Sequence, residues 1–166
     1  MMPGPPIRSD IVDVYVFRRN GDAPSAAIEF LQMRRAEGAL TGSWHPVMGH
    51  VEGDETAVQT ALRELDEETA YRRDRGLIGF WQLELVNTYY LASHECIVMS
   101  PGFAAEVDSF VEPKLDSSHD AFRWVASDHA DRLFLWPGQR KAIEHIVRDI
   151  ASTDSLANNH LKIDLP

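Results

Sequence analysis

The sequence predicts an α/β domain, and three observations carry the prediction. Several short runs are rich in β-branched and aromatic residues, the composition of strands. A glycine turn at Gly49 leads into a helical stretch bearing Glu64, Glu67 and Glu68. Near the C-terminus, Ala142, Ile143, Ile146, Val147 and Ile150 recur at the 3.6-residue period of an amphipathic helix.

In chain order, residues 11–17 (Ile-Val-Asp-Val-Tyr-Val-Phe) read as a strand. Residues 20–24 (Asn-Gly-Asp-Ala-Pro) read as a turn, and residues 26–33 as a second strand closing a hairpin. Residues 36–43 form a loop, and residues 44–51 a short extended segment that delivers Gly49. Asp54 or Thr56 caps the helix that follows, and Thr56 with Gln59 fits a capping box. Val58, Ala61, Leu62 and Leu65 give that helix an apolar stripe beside its acidic face. Residues 79–91, 96–99 and 122–125 read as further strands. Trp136-Pro137 then opens a helix reaching about Ile150, with proline suited to the first turn. Residues 1–8 are expected as a flexible leader, 9–151 as one domain, and 152–166 as a tail, mobile or packed on a partner subunit.

Composition narrows the partners. At 166 residues, one domain with a proper core is expected. A net charge of −10 argues against an extended nucleic acid, whose backbone calls for clustered Lys and Arg. The single cysteine, Cys96, excludes an internal disulfide framework and suits a reducing cytoplasm. Its apolar strand makes it a packing residue. No apolar run approaches the ~20 residues of a membrane span, and residues 1–6 lack the pattern of a signal peptide.

Glu64, Glu67 and Glu68 stand at i, i+3 and i+4, within an arc of roughly 100° on one helix surface. Each like-charged pair is unfavourable by a few tenths of a kcal/mol unless a cation sits over it. Pairing with Arg63 and Arg72 at i,i+4 spacing is one answer: Arg63 with Glu67, Arg72 with Glu68. A hard divalent cation is the other, because Mg²⁺ prefers oxygen ligands and also holds substrate phosphates. The upstream spacing favours the cation.

The segment reads G-x5-E-x7-R-E-L-x-E-E-x-A-Y, which resembles the Nudix hydrolase box, G-x5-E-x7-R-E-U-x-E-E-x-G-U with U aliphatic. Gly49, Glu55, Arg63, Glu64, Leu65, Glu67 and Glu68 match, while Ala70 and Tyr71 depart at the helix C-terminus. Alanine fits the left-handed cap poorly, so a longer or frayed last turn is expected. Tyr71 packs where an aliphatic residue would, provided its hydroxyl finds a partner.

The resemblance implies an α/β/α sandwich with a mixed β-sheet, and hydrolysis of a phosphoanhydride by water attack on phosphorus. It implies Mg²⁺, or Mn²⁺, held by Glu64 and Glu68 with Glu67 supporting and the Gly49 carbonyl completing the shell. Glu64 is also the candidate general base. Arg63 orients a carboxylate, and Glu55 braces the loop. Arg34, Arg35 and Trp44 are candidates for substrate contact; Tyr89 is a further stacking candidate, although strand aromatics are more often core. His50 and His119 are expected as structural hydrogen-bonding groups.

Residues 44–52, 122–125 and 136–143 resemble segments of the dihydroneopterin triphosphate and dATP pyrophosphohydrolase branch. There a glutamate preceding a histidine helps hold metal; here His119 follows Ser118, so Asp116 or Asp120 substitutes, or one metal fewer is bound. The leading expectation is therefore pyrophosphate release from a nucleoside or pterin triphosphate. The alternatives are nucleotide sugars, dinucleoside polyphosphates or oxidised nucleotides as substrates, or a non-catalytic nucleotide-binding module. A homodimer is compatible with each.

Overall fold

The computed structural model describes residues 4–21, 27–152 and 155–165. Eight strands form one sheet: β1 (Ile7–Arg8), β2 (Ile11–Asn20), β3 (Ala27–Arg35), β4 (Trp44–His45), β5 (Val47–His50), β6 (Leu77–Leu91), β7 (Cys96–Val107) and β8 (His119–Ala126). The spine runs β1-β7-β2-β3-β4, with β5 on β2, β6 on β7 and β8 on β3. β7 is parallel to β1 and β2, whereas the β2–β3, β2–β5, β3–β8 and β6–β7 pairs are antiparallel. The sheet is mixed, as expected.

Alternation along β2 builds two cores. Val12, Val14 and Val16 face α1 (Ala57–Thr69), joining Ala61, Leu65, Tyr71, Phe80 and Phe103. Tyr15 and Phe17 face the other way, packing with Trp81, Ala142, Ile143, Ile146 and Ile150. Those last residues come from α3 (Pro137–His145) and the π-helical turn Ile146–Ile150 that continues it; a four-residue helix, α2 (Ala130–Leu133), precedes it. Helices on both faces make this an α/β/α sandwich.

Thr56 caps α1 in the expected box: its hydroxyl accepts from Gln59 N–H at 3.3 Å, and Gln59 Oε1 accepts from Thr56 N–H at 2.8 Å. The opposite end corrects the expectation of fraying. Ala70 takes the left-handed conformation itself, φ 58° and ψ 20°, with its N–H donating to Asp66 O. That conformation costs a non-glycine residue about 1–2 kcal/mol. Lys114 N–H on Thr69 O at 2.9 Å and the Arg75 guanidinium on Ala70 O at 2.9 Å hold the carbonyls that close the helix. Tyr71 is fully buried and donates its hydroxyl to Val111 O at 2.6 Å.

Both chain ends described pack on the sheet. Ile7 and Arg8, expected in the leader, pair with Ile97 and Val98 of β7. In the expected tail, α4 (Ala157–Leu161) buries Leu161, and Ile163 N–H donates to Phe80 O at 2.8 Å. The tail thus lies on its own β6. The 20–24 turn falls largely outside the described residues. Cys96 is buried.

Candidate active site

The β2–β5 ladder pairs Val12 with Gly49 and Asp13 with Met48, and so sets the glycine against the middle of α1. A Cβ built on Gly49 would lie 2.0 Å from Cδ and Cγ of Glu64, so only glycine leaves room for that side chain. The fit follows from strand geometry: Gly49 shares the inward face with Val47, and α1 lies directly over it.

Arg63 organises the acidic face. Its Nε donates to Glu55 Oε1 at 2.8 Å, and Nη2 to Glu55 Oε2 at 3.1 Å, a bidentate pair. Nη1 reaches Glu64 Oε1 at 2.8 Å and Glu67 Oε2 at 3.0 Å, and Nη2 reaches His50 O at 2.9 Å. The hydrogen bonds from Arg63 hold the Glu55 carboxyl down to about 2. One guanidinium therefore ties the loop carrying Glu55 and His50 to the helix carrying Glu64 and Glu67. The i,i+4 pair of Arg63 with Glu67 forms as expected. That of Arg72 with Glu68 does not: Arg72 binds Asp66 at 3.1 Å and Asp74 at 2.8 Å, because Glu68 points into the protein.

Glu68 is the most deeply buried carboxyl of the three. It is 8% exposed, and its hydrogen bond from Met48 N–H is long at 3.4 Å. Burial, with the charge of Glu64 second, raises its pKa to about 8. Burial also raises Glu64, against the opposing pull of Arg63. Two neighbouring carboxyls that resist ionisation fit a site completed by a cation, whose charge inverts that preference. The glycine that clears space over Glu64 fits it too. With Arg63 drawing Glu64 and Glu67 to itself, no three acidic, histidine or cysteine side chains converge on one point among the described residues.

Of the two acids weighed near Ser118, Asp116 is the one within electrostatic reach of Glu68. It accepts from Ser118 Oγ at 2.7 Å, lies 2.7 Å from His119 Nδ1, and acts electrostatically on Glu68. Burial alone would raise the Asp116 carboxyl, but these two partners outweigh it and the pKa is lowered. Asp120 instead binds Arg34 Nε at 2.7 Å. His119 is buried, with Nε2 3.3 Å from His45 Nε2; Nδ1–H of His45 donates to Pro46 O at 2.7 Å. Desolvation lowers the His45 pKa to about 4. This buried pair was not legible in the sequence, since 74 residues separate its members.

The arginines separate. Strand alternation sends the two side chains to opposite faces, and a register shift between Arg34 and Arg35 in the β3–β8 ladder leaves Asp120 as the extra residue of β8. Arg34 is neutralised by Asp120 and lies 5.9 Å from the Trp44 ring centroid. Trp44 also carries the Arg123 guanidinium at 4.2 Å, so a cation occupies one stacking position on the ring. Among the described residues Arg35 forms no salt bridge, and it acts electrostatically on both Glu68 and His45. Tyr89 is half-buried against Ile11, Cys96 and Val98. No described helix is long and apolar enough to cross a membrane.

Residues 8–146 match the family model of the NUDIX domain. A pig (Sus scrofa) protein named bis(5'-nucleosyl)-tetraphosphatase (asymmetrical) is 33% identical over 131 residues, covering 78% of this chain and 86% of its own length. The fold is similar to that of a C. elegans Ap4A hydrolase in a binary complex, with a TM-score of 0.68 at 17% identity, over 84% of this chain and 96% of that one. The E. coli dihydroneopterin triphosphate pyrophosphohydrolase shares it as well, with a TM-score of 0.64 at 22% identity, over 82% and 94%. Nudix hydrolases generally use a divalent cation, typically Mg²⁺. With its box residues gathered on β5, the following loop and α1, and its sequence matched from residue 8 to 146, the chain belongs to the Nudix family, as a hydrolase of phosphoanhydride bonds.

Proposed function

We propose that this enzyme hydrolyses dinucleoside polyphosphates, splitting a four-phosphate bridge unequally into a nucleoside monophosphate and a nucleoside triphosphate. The observation that carries the reading is the 33% identity to a tetraphosphatase of that specificity over most of both chains. The pterin and dATP expectation has the weaker support, a shared fold at 22% identity. Ser118, where that branch carries a metal-holding glutamate, points the same way.

In this reading Glu64 and Glu68 hold the divalent cation, Glu67 supports them, and the Gly49 carbonyl and Asp116 complete the donor set. The cation, when bound, polarises a phosphoryl group and lowers the pKa of water. Glu64 takes the proton of the attacking water. The water oxygen forms the new P–O bond, and the bridging P–O bond breaks with its electron pair leaving on the departing phosphate chain. Arg63 fixes the orientation of Glu64 through its simultaneous hold on Glu55. Arg35 meets the phosphate bridge, since among the described residues its charge is not already spent on a salt bridge. Arg34 and Trp44 line the approach and contact substrate less directly.

The test is Mg²⁺-dependent turnover across dinucleoside tetraphosphates, dNTPs, dihydroneopterin triphosphate and nucleotide sugars, with Glu64→Gln as control. A kcat/KM highest for the dinucleoside tetraphosphates, reduced by orders of magnitude in the control, is expected. A preference for a single triphosphate with pyrophosphate release would return the enzyme to the pterin and dATP branch.

A further inference from the structure

Among the described residues, two buried side-chain polar atoms have no hydrogen-bond partner: Oδ1 of Asp13 and Oγ of Ser100. They line the same cleft, about 310 Å³ in volume, on the sheet face opposite α1. That volume is at the small end of the range for ligand pockets. Asp13 is 2% exposed and Ser100 1%. Such groups are nearly always satisfied in folded proteins, and an orphan costs about 1–3 kcal/mol. Two in one cleft mark a place where something with complementary polarity belongs.

The cleft is built by register. Asp13 pairs with Gly102 across β2–β7, and Ser100 with Asn87 across β6–β7, so all four share a face. Two glycines in the wall let Leu83 and Asn87 pack closely against the backbone there. A Cβ on Gly102 would come within 3.1 Å of Leu83 Cδ1, and one on Gly138 within 2.0 Å of Asn87 Oδ1. Burial pushes the Asp13 carboxyl up to about 6, with Ser100 and Asn87 opposing the shift. Lys141 stands exposed at the mouth, and apolar flanks come from Leu83 and Leu85. A carboxylate floor between apolar walls, with a cation at the rim, matches a flat heterocycle that carries N–H donors and trails a phosphate. On the β2–β5 ladder Asp13 is opposite Met48, whose N–H binds Glu68. The cleft and the carboxylate helix thus lie on opposite faces of the sheet at the same register, on neighbouring strands β2 and β5.

We propose that this cleft receives the base of a nucleotide substrate and that Asp13, with Ser100, sets base preference by accepting N–H donors from its edge. The proposal rests on the reading of the protein as a hydrolase of nucleotides. A base edge with an exocyclic amine fits; one presenting carbonyl oxygens toward the carboxylate is repelled. Asp13 touches the base, away from the reacting phosphorus, so it governs KM and base choice.

The variant Asp13→Asn keeps the shape and removes the buried charge. Its expected signature is a higher melting temperature than wild type, together with at least a tenfold loss of discrimination between amino-bearing and uridine dinucleoside tetraphosphates, carried by KM with kcat within a few-fold. Ser100→Ala is expected to weaken the same preference. A purely structural Asp13 would give destabilisation with discrimination intact, and a cleft that holds only ordered water would give stabilisation with discrimination intact; either overturns the proposal. Binding of AMP, GMP and UMP to the chelated protein, measured by calorimetry, separates this proposal from the choice of reaction. Amino-base preference that Asp13→Asn abolishes supports the cleft even if dinucleoside polyphosphates prove not to be substrates. Hydrolysis of those compounds with mononucleotide binding unchanged by the substitution would sink the cleft alone.

Discussion

Replacing Gly49 with alanine adds one methyl group, and the structure says where it goes. The new Cβ would stand 2.0 Å from Glu64 Cδ, whereas ordinary contact begins near 3.4 Å, so the carboxyl must retreat by about 1.4 Å. Gly49 does not have a positive φ, so the backbone accepts alanine without strain. The retreat also weakens the 2.8 Å contact with Arg63, which for a partly exposed pair is worth less than about 1 kcal/mol. In a chain of this size a loss of 1 kcal/mol lowers Tm by about 2–4 °C. Displacing a catalytic group by about 1 Å, by contrast, costs on the order of 10²-fold in rate. Gly49→Ala is therefore expected to melt within a few degrees of wild type and to lose about two orders of magnitude in kcat/KM with Mg²⁺. Turnover close to wild type would refute the placement of Glu64 at the reacting phosphate.

Three further perturbations follow from the same geometry. Glu68 is raised from 4.5 to about 8 in the fold, so its contribution to stability is complete below the unfolded value and is lost as pH rises through the folded one. Melts of the chelated protein should fall between pH 5 and 8, by at most about 1.4 kcal/mol per pH unit, and Glu68→Gln should flatten the fall; parallel curves for the two proteins would remove Glu68 as the cause. Arg35→Ala should raise KM for polyphosphate substrates about tenfold, the worth of one charge-assisted hydrogen bond, whereas Arg34→Ala should leave turnover within a few-fold; steady-state kinetics showing the reverse order would exchange their roles. Tyr71→Phe leaves the Val111 carbonyl short of its donor and should lower stability by about 1 kcal/mol in denaturant titration with activity retained, and no change would mean water replaces the hydroxyl.

Much of the fold was legible because local chemistry and global packing agree. The capping box at Thr56, the extended segment that delivers Gly49 and the apolar stripes of α1 and α3 each specify an element through neighbours close in sequence, whereas Gly49 itself sits in strand β5 and not in a turn. What the sequence concealed depends on distant partners. Ala70 adopts a conformation its own preference opposes, held by Lys114 and Arg75. Arg34 and Arg35 look equivalent until the packed sheet pairs one with Asp120 and sets the other within electrostatic reach of Glu68. Asp13 reads as one more residue of an apolar strand. The available signal was its polarity at an inward position, in phase with Tyr15 and Phe17, and only the packed sheet shows that its Oδ1 has no hydrogen-bond partner.

The central claim is tested most directly by the products of one dinucleoside tetraphosphate incubated with the enzyme and Mg²⁺ and resolved by ion-exchange chromatography. Equal amounts of nucleoside monophosphate and triphosphate, absent with Glu64→Gln, are the expected result. Two equivalents of nucleoside diphosphate, or no cleavage while a triphosphate in parallel releases pyrophosphate, would contradict it.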